Sequence, residues 1–275
     1  MTRKNNTGSI FKALILTLVS IWLLLPLYLI VMTAFKPPAE FTVNPLGVPS
    51  RIYFENFITA LTKGKVLSFG LNSVFVTVIS LVLIVTLNLF CAYGLNKIQN
   101  KLYGKLIYSF LMTGMMIAAV GYVTMILLYQ RAGLYDSLWG VIVSTVAGSV
   151  PLACFLLMGA IRAIPGELLE AATIDGASDM QSLLSVILPL ITPTVSTIIV
   201  LNLITSWNAL LTPLLLLRSA KNYTLPIGLL TFRGTYNVQY TVLFAAMLMS
   251  AVPLIIVYFT LQKKFVESLA GALKG

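Results

Sequence analysis

Glu167, Glu170, Asp175 and Asp179 are four of the eight acidic side chains in this 275-residue sequence, and they crowd into one polar interval. Carboxylates so grouped can do acid–base work, hold a cation or dock a partner. The first needs help that this chain lacks. It has no histidine, the usual neutral-pH acid and base and the commonest metal ligand. Ser–His dyads and HExxH metal sites are therefore excluded. Cys91 and Cys154 lie in apolar runs without CxxC spacing and read as packed or lipid-facing thiols. No G-x-x-x-x-G-K-[ST] phosphate loop occurs. The residues thus give no catalytic, metal or cofactor site on this chain. What the acidic interval offers is a docking surface.

The elements around it are membrane helices. The chain is 59% hydrophobic and 9% charged, against about 25% charged in a soluble domain. Six intervals carry no charge at all: 13–35, 66–96, 106–130, 137–161, 180–217 and 234–262. Each exceeds the roughly 20 apolar residues that cross a hydrocarbon core. The expectation is an all-α polytopic membrane protein with six spans, at about 13–35, 67–93, 106–129, 138–160, 193–216 and 240–261. Residues 1–12 and 263–275 form the tails, and 163–192 is a structured loop between spans four and five. The net charge of +10 comes from basic residues scattered between apolar runs, which fits membrane flanks and not nucleic acid. An even number of spans puts both termini on one side. Lys and Arg are denser on segments 1–12, 96–105 and 262–275, so that side is read as cytoplasmic.

The loop reads as helix, turn, helix. Pro165 suits the first helical position, and Glu167 and Glu170 fall where the helix dipole favours negative charge. Gly176 can adopt the left-handed conformation that ends a helix. Ser178-x-x-Gln181 is a capping box that starts the second helix, whose apolar face is Leu183, Leu184, Val186, Ile187 and Leu188. Asp175 either docks or caps the backbone at Gly176. From the residues alone, the loop is either a knob for a partner or an interfacial segment resting on lipid headgroups. In the spans, Asn72, Asn202, Trp207 and Asn208 offer amides and a ring to a passing solute, or else hydrogen bonds between helices.

The loop also resembles the EAA motif of ABC-importer permeases. Glu170-Ala171-Ala172 is followed by Gly176 and then by Val186-Ile187-Leu188-Pro189 at the motif's spacing. Asp175, Gly176, Ala177 and Ser178 match the longer form of the carbohydrate-uptake type, similar to maltose permeases. Val186 stands where isoleucine is usual, and Leu183 where an aromatic is common. The segment PLGVPSRIYFENF, Asn72-Ser73, Trp207-Asn208 and the ending FVESLAGALKG are similar to the same subfamily. The resemblance implies a multi-pass permease of a bacterial or archaeal cell (inner) membrane, importing a sugar or sugar-like solute. It implies a second homologous permease, two cytoplasmic ATPase subunits that hold ATP and Mg, and an extracytoplasmic solute-binding protein. Glu170, Ala171, Ala172, Asp175, Gly176 and Ala177 would then couple to the ATPase. The rival reading is an ion-coupled secondary transporter. None of the six intervals holds a charged residue for proton coupling, which disfavours that rival while leaving a neutral sodium site open.

Overall fold

A computed structural model describes residues 6–98, 100–116, 121–232 and 239–272. Among these the chain is helical, with no strand. Four helices among the described residues are long and apolar enough to cross a membrane: Lys12–Ala34 within α1 (Asn6–Ala34), α4 (Val66–Lys97), α7 (Leu138–Arg162) and Tyr240–Val257 within the last helix (Tyr240–Ala272). Large apolar side chains along α1 are exposed, as a helix facing lipid requires.

The other two expected spans are broken. The run 106–129 is divided between α5 (Lys101–Met116) and α6 (Tyr122–Arg131), with 117–120 outside the described residues. The span expected at 193–216 is α11 (Thr192–Trp207) and, separately, α12 (Leu211–Leu216). Pro213 is the reason: it has no N–H to donate to the Ala209 carbonyl, and its ring crowds that position. The second loop helix also departs from expectation. It starts as α9 (Asp179–Gln181), widens into a π turn over Ser182–Ile187 and closes as α10 (Leu188–Leu190). Leu188 N donates to Leu183 O across the widened turn. Pro189, next along, cannot supply the donor an α-ladder needs at Ser185. At Ile191 the helix axis bends by 76° into α11, just before Pro193. Counted as one, that bent pair is a fifth candidate span.

The chain divides into two compact units, residues 1–67 with 228–253, and residues 68–227 with 254–275. In the first, α2 (Pro38–Val43) and α3 (Glu55–Thr62) follow α1. Lys36 is wholly buried, and its ammonium donates to the carbonyls of Asn44, Pro45 and Gly47 at 2.8, 3.2 and 2.8 Å. Asn56, also buried, donates its amide to Ala34 O and Lys36 O, both at 2.9 Å. A small core of Ala60, Val66, Val242 and Ala246 lies beneath.

In the second unit, α5, α11 and α12 pack on α7, around buried Ile142, Leu157, Met158 and Ile161. Asp136 knots the turn before α7. Its carboxylate accepts from Arg218 N and Ser219 N, both at 2.9 Å, and from Ser219 Oγ. The Ser219 hydroxyl, helped by the Ser219 and Arg218 N–H groups, lowers the Asp136 pKa from 3.8 to about 2. A depressed carboxylate stabilises the fold above its unfolded value and stops doing so as pH falls through its folded value. Asp136→Asn is expected to destabilise the protein by about 1–3 kcal/mol at neutral pH, through lost charge-assisted bonds. Thermal midpoints of both proteins in detergent should differ above pH 3.8 and converge towards about 2. A gap that persists at the acid end would rule this account out.

Candidate functional site

The loop after α7 forms α8 (Gly166–Ile174), with Pro165 at its N-cap, one place earlier than expected. Its end is a Schellman turn. Gly176 takes φ +78°, its N–H donates to Thr173 O at 3.1 Å, and Ala177 N–H donates to Ala172 O at 2.9 Å. The capping box then starts α9: Ser178 N donates to Gln181 Oε1 at 2.8 Å, and Gln181 N to Ser178 Oγ at 3.3 Å. Both ends of the turn are closed by hydrogen bonds, so the two helices meet at a fixed angle.

The helical period sorts the residues of α8 into two faces. Ala172 is 9% exposed and Leu169 half-buried, and α8 packs on the π turn, whose Leu183 and Ile187 are buried. Leu183 fills core where the related subfamily commonly has an aromatic. The outward stripe is Glu167, Glu170, Ala171 and Ile174, spaced i, i+3, i+4, i+7. Ile174 is 85% exposed, an apolar tip between two carboxylates and the turn. The motif draws attention to Ala172, yet Ala172 faces inward and Ile174 faces out. An i+7 count from Glu167 would have found Ile174. Asp175 and Gly176 are exposed and Ala177 partly so. The Asp175 carboxylate makes no hydrogen bond among the described residues, since backbone donors close the turn without it. Asp179 pairs with Lys97 at the end of α4, and the Tyr93 ring lies 5.2 Å from that ammonium. Both partners are exposed, so the pair contributes little stability and mainly marks where the loop meets α4.

A second feature lies along α7 and α11. A cleft of about 330 Å³ is lined by Ser144, Thr145, Ser149, Asn202, Thr205 and Ser206, among others, with no charged residue in its wall. Four of these side chains donate to main-chain carbonyls: Thr145 to Val141 O at 2.9 Å, Ser149 to Val146 O at 2.7 Å, Thr205 to Leu201 O at 3.0 Å and Asn202 to Ile198 O at 2.9 Å. The three hydroxyls have spent their hydrogens on the helices and keep lone pairs as acceptors, and Asn202 keeps its Oδ1 acceptor and one N–H. The wall suits a neutral molecule rich in hydroxyl donors.

Of the four span residues singled out in the sequence, only Asn202 lines this cleft. Asn72 gives both amide hydrogens to the fold, at 2.8 Å to Lys221 O and 2.9 Å to Tyr223 O. Trp207 is 6% exposed. Asn208 is exposed and donates to Ile204 O at 2.9 Å, at the end of α11. Ser144, Thr145, Gly148, Ser149 and Leu152 were missed, although small or hydroxyl side chains recur there every fourth residue. The first unit has its own concavity, about 820 Å³, lined by Phe41, Tyr53, Glu55, Asn56, Gln239 and Tyr240, among others.

Residues 85–270 match the family described as binding-protein-dependent transport system inner membrane component. The chain is 30% identical over 259 residues to the diacetylchitobiose uptake system permease protein NgcG of Streptomyces coelicolor, covering 93% of this chain and 85% of that protein. It is 28% identical over 280 residues to the multiple sugar-binding transport system permease protein MsmG of Streptococcus mutans, covering 100% of each. It is similar in structure to a chain of a bacterial ABC transporter involved in the import of the acidic polysaccharide alginate. That match has a TM-score of 0.85 at 26% identity, over 96% of this chain and 99% of that one. A helical, multi-pass chain, with a doubly capped acidic loop between two membrane helices and a family match over most of its length, therefore belongs to the binding-protein-dependent transport system inner membrane components, the permease subunits of ABC importers.

Proposed function

We propose that this chain forms half of the translocation path for a neutral sugar or sugar-like solute, paired with a second permease. The observation that carries the reading is α8, a rigidly capped helix joined directly to α7, with its outward stripe of Glu167, Glu170, Ala171 and Ile174. Two carboxylates flanking small and apolar side chains fit a groove on a cytoplasmic ATPase. Glu170, Ala171, Asp175 and Gly176 stand on the docking side, while Ala172 and Ala177 hold the turn from behind. Both termini are cytoplasmic in this reading, and an extracytoplasmic binding protein delivers solute from the other side.

Closure of the ATPase dimer displaces α8 as a rigid body. Because α7 runs into α8, and α11 follows the bent second half of the loop, both helices tilt with it. The cleft between them then changes its access. Its acceptor oxygens, left over from bonds to main-chain carbonyls, match the hydroxyl donors of a saccharide, and its lack of charge disfavours a uronate. ATP and Mg belong to the ATPase subunits in this scheme, and this chain holds no cofactor.

Uptake of radiolabelled saccharides into proteoliposomes containing the complete complex tests the proposal. Uptake of a neutral oligosaccharide should require both ATP and the binding protein, and excess unlabelled uronate should not compete. Uptake sustained by an ion gradient without ATP would overturn it in favour of a secondary transporter.

A further inference from the structure

We propose that the second unit carries a binding site for the phosphodiester headgroup of an anionic phospholipid, beside the coupling loop. A pocket of about 530 Å³ lies where α4 ends, α5 begins and α7 ends. Lys105 and Arg162 supply two cations to its wall, and Asn96 an amide. No carboxylate lines it, and neither cation forms an ion pair among the described residues. The Arg162 guanidinium sits 5.5 Å from the centre of the Tyr108 ring, so the ring holds it in place while its N–H groups stay available for oxygen acceptors. Two unpaired cations and an amide converging on one pocket call for an anion with several oxygens, and phosphate is the common one.

A phosphate could come from a lipid or from solution. Two observations favour the lipid. The pocket sits at the ends of two candidate spans, at the level where headgroup phosphates lie. Leu95, Ile98 and Tyr108 give it an apolar wall. Free phosphate has no use for that wall, whereas the start of an acyl chain covers it.

The position has a consequence for transport. Arg162 is the last residue of α7, followed by Ala163 and Ile164 before the Pro165 cap of α8. Lys97, at the end of α4, pairs with Asp179 of the loop. A lipid held by Lys105 and Arg162 ties α5 to the hinge between α7 and α8. Membrane composition then acts on the same hinge that coupling uses.

The test is lipid retention by the purified full chain in nanodiscs of equal phosphatidylglycerol and phosphatidylcholine, read by native mass spectrometry. The wild type should retain phosphatidylglycerol preferentially. Lys105→Gln and Arg162→Gln should each cut that preference roughly fivefold, and the double variant roughly 25-fold. Lys221→Gln, in another segment, should leave it unchanged. Inorganic phosphate and ATP at millimolar concentration should not displace the lipid. Equal retention of both lipids by the wild type would overturn the proposal, as would undiminished preference in the double variant. Displacement by inorganic phosphate would do so too, marking a free-phosphate site. The wild-type comparison needs no variant to fold.

Discussion

Gly176→Val should abolish solute-stimulated ATP hydrolysis and uptake, by tenfold or more, in complexes that still assemble. The expectation rests on backbone conformation and not on space. Gly176 takes φ +78°, and a Cβ built there meets nothing within 4 Å. No clash is available to explain a loss. A β-branched residue nevertheless costs about 1–2 kcal/mol in the left-handed region. That strain falls on two short helices whose relative angle depends on bonds from Gly176 N–H and Ala177 N–H. If the angle relaxes, the α8 stripe that carries Glu170 and Ile174 is no longer held at a fixed orientation to the second loop helix and α11, while the membrane helices stay packed. Gly176→Asn separates conformation from contact, because asparagine tolerates the left-handed region. Coupling retained in the asparagine variant and lost in the valine variant supports the turn as the coupling element. Loss in both places the ATPase surface close against Gly176. Intact coupling in Gly176→Val would refute the assignment of this loop.

Features governed by local rules were legible in the sequence. The capping box at Ser178 and Gln181, and the left-handed glycine, involve residues within a few positions of one another, and each forms as read. Apolar length located four spans for the same reason, since it needs no knowledge of neighbours. Charge-free length could not show where a helix breaks. The interval 180–217 is uninterrupted in charge, yet Pro189, Pro193 and Pro213 divide it into a π turn, a 76° bend and two helices. Prolines tolerable as kinks in isolation became breaks when three fell in one interval. Long-range polar partners were invisible for a different reason. Asn72 looked like a solute ligand, but its carbonyl partners at Lys221 and Tyr223 lie 149 and 151 residues away. The cleft was half legible. Asn202 stood out as an amide in a span, whereas the serines and threonines of α7 are too common in membrane helices to stand out without the facing α11.

Lys36 shows the same limit most sharply, and replacing it should have the largest effect on the fold. In the sequence, Lys36-Pro37-Pro38 reads as a charged exit from the first span. In the structure the side chain is 0% exposed and turns back to donate to three carbonyls, those of Asn44, Pro45 and Gly47. One ammonium has three N–H donors, so three acceptors match its hydrogen-bonding capacity. A buried lysine is tolerated because none of its donors is left without a partner. Its own carbonyl accepts from buried Asn56, which joins the knot to α3. Lys36→Met keeps the length and apolar stem but removes every donor. Three carbonyls lose charge-assisted bonds at once, which costs about 2–4 kcal/mol, the lower part of that range applying where water can reach the exposed Asn44 and Pro45. Lys36→Arg should restore only part of this, because a planar fork does not fit carbonyls arranged for an ammonium. The Lys36→Met variant should melt earlier in detergent by fluorescence-detected size exclusion and be cut by protease between residues 44 and 50 faster than the wild type. Docking at α8 belongs to the other unit, so basal ATP hydrolysis should persist while delivery from the binding protein fails. Unchanged melting and protease resistance would show that water replaces the ammonium without loss, and that Lys36 is buried without being needed.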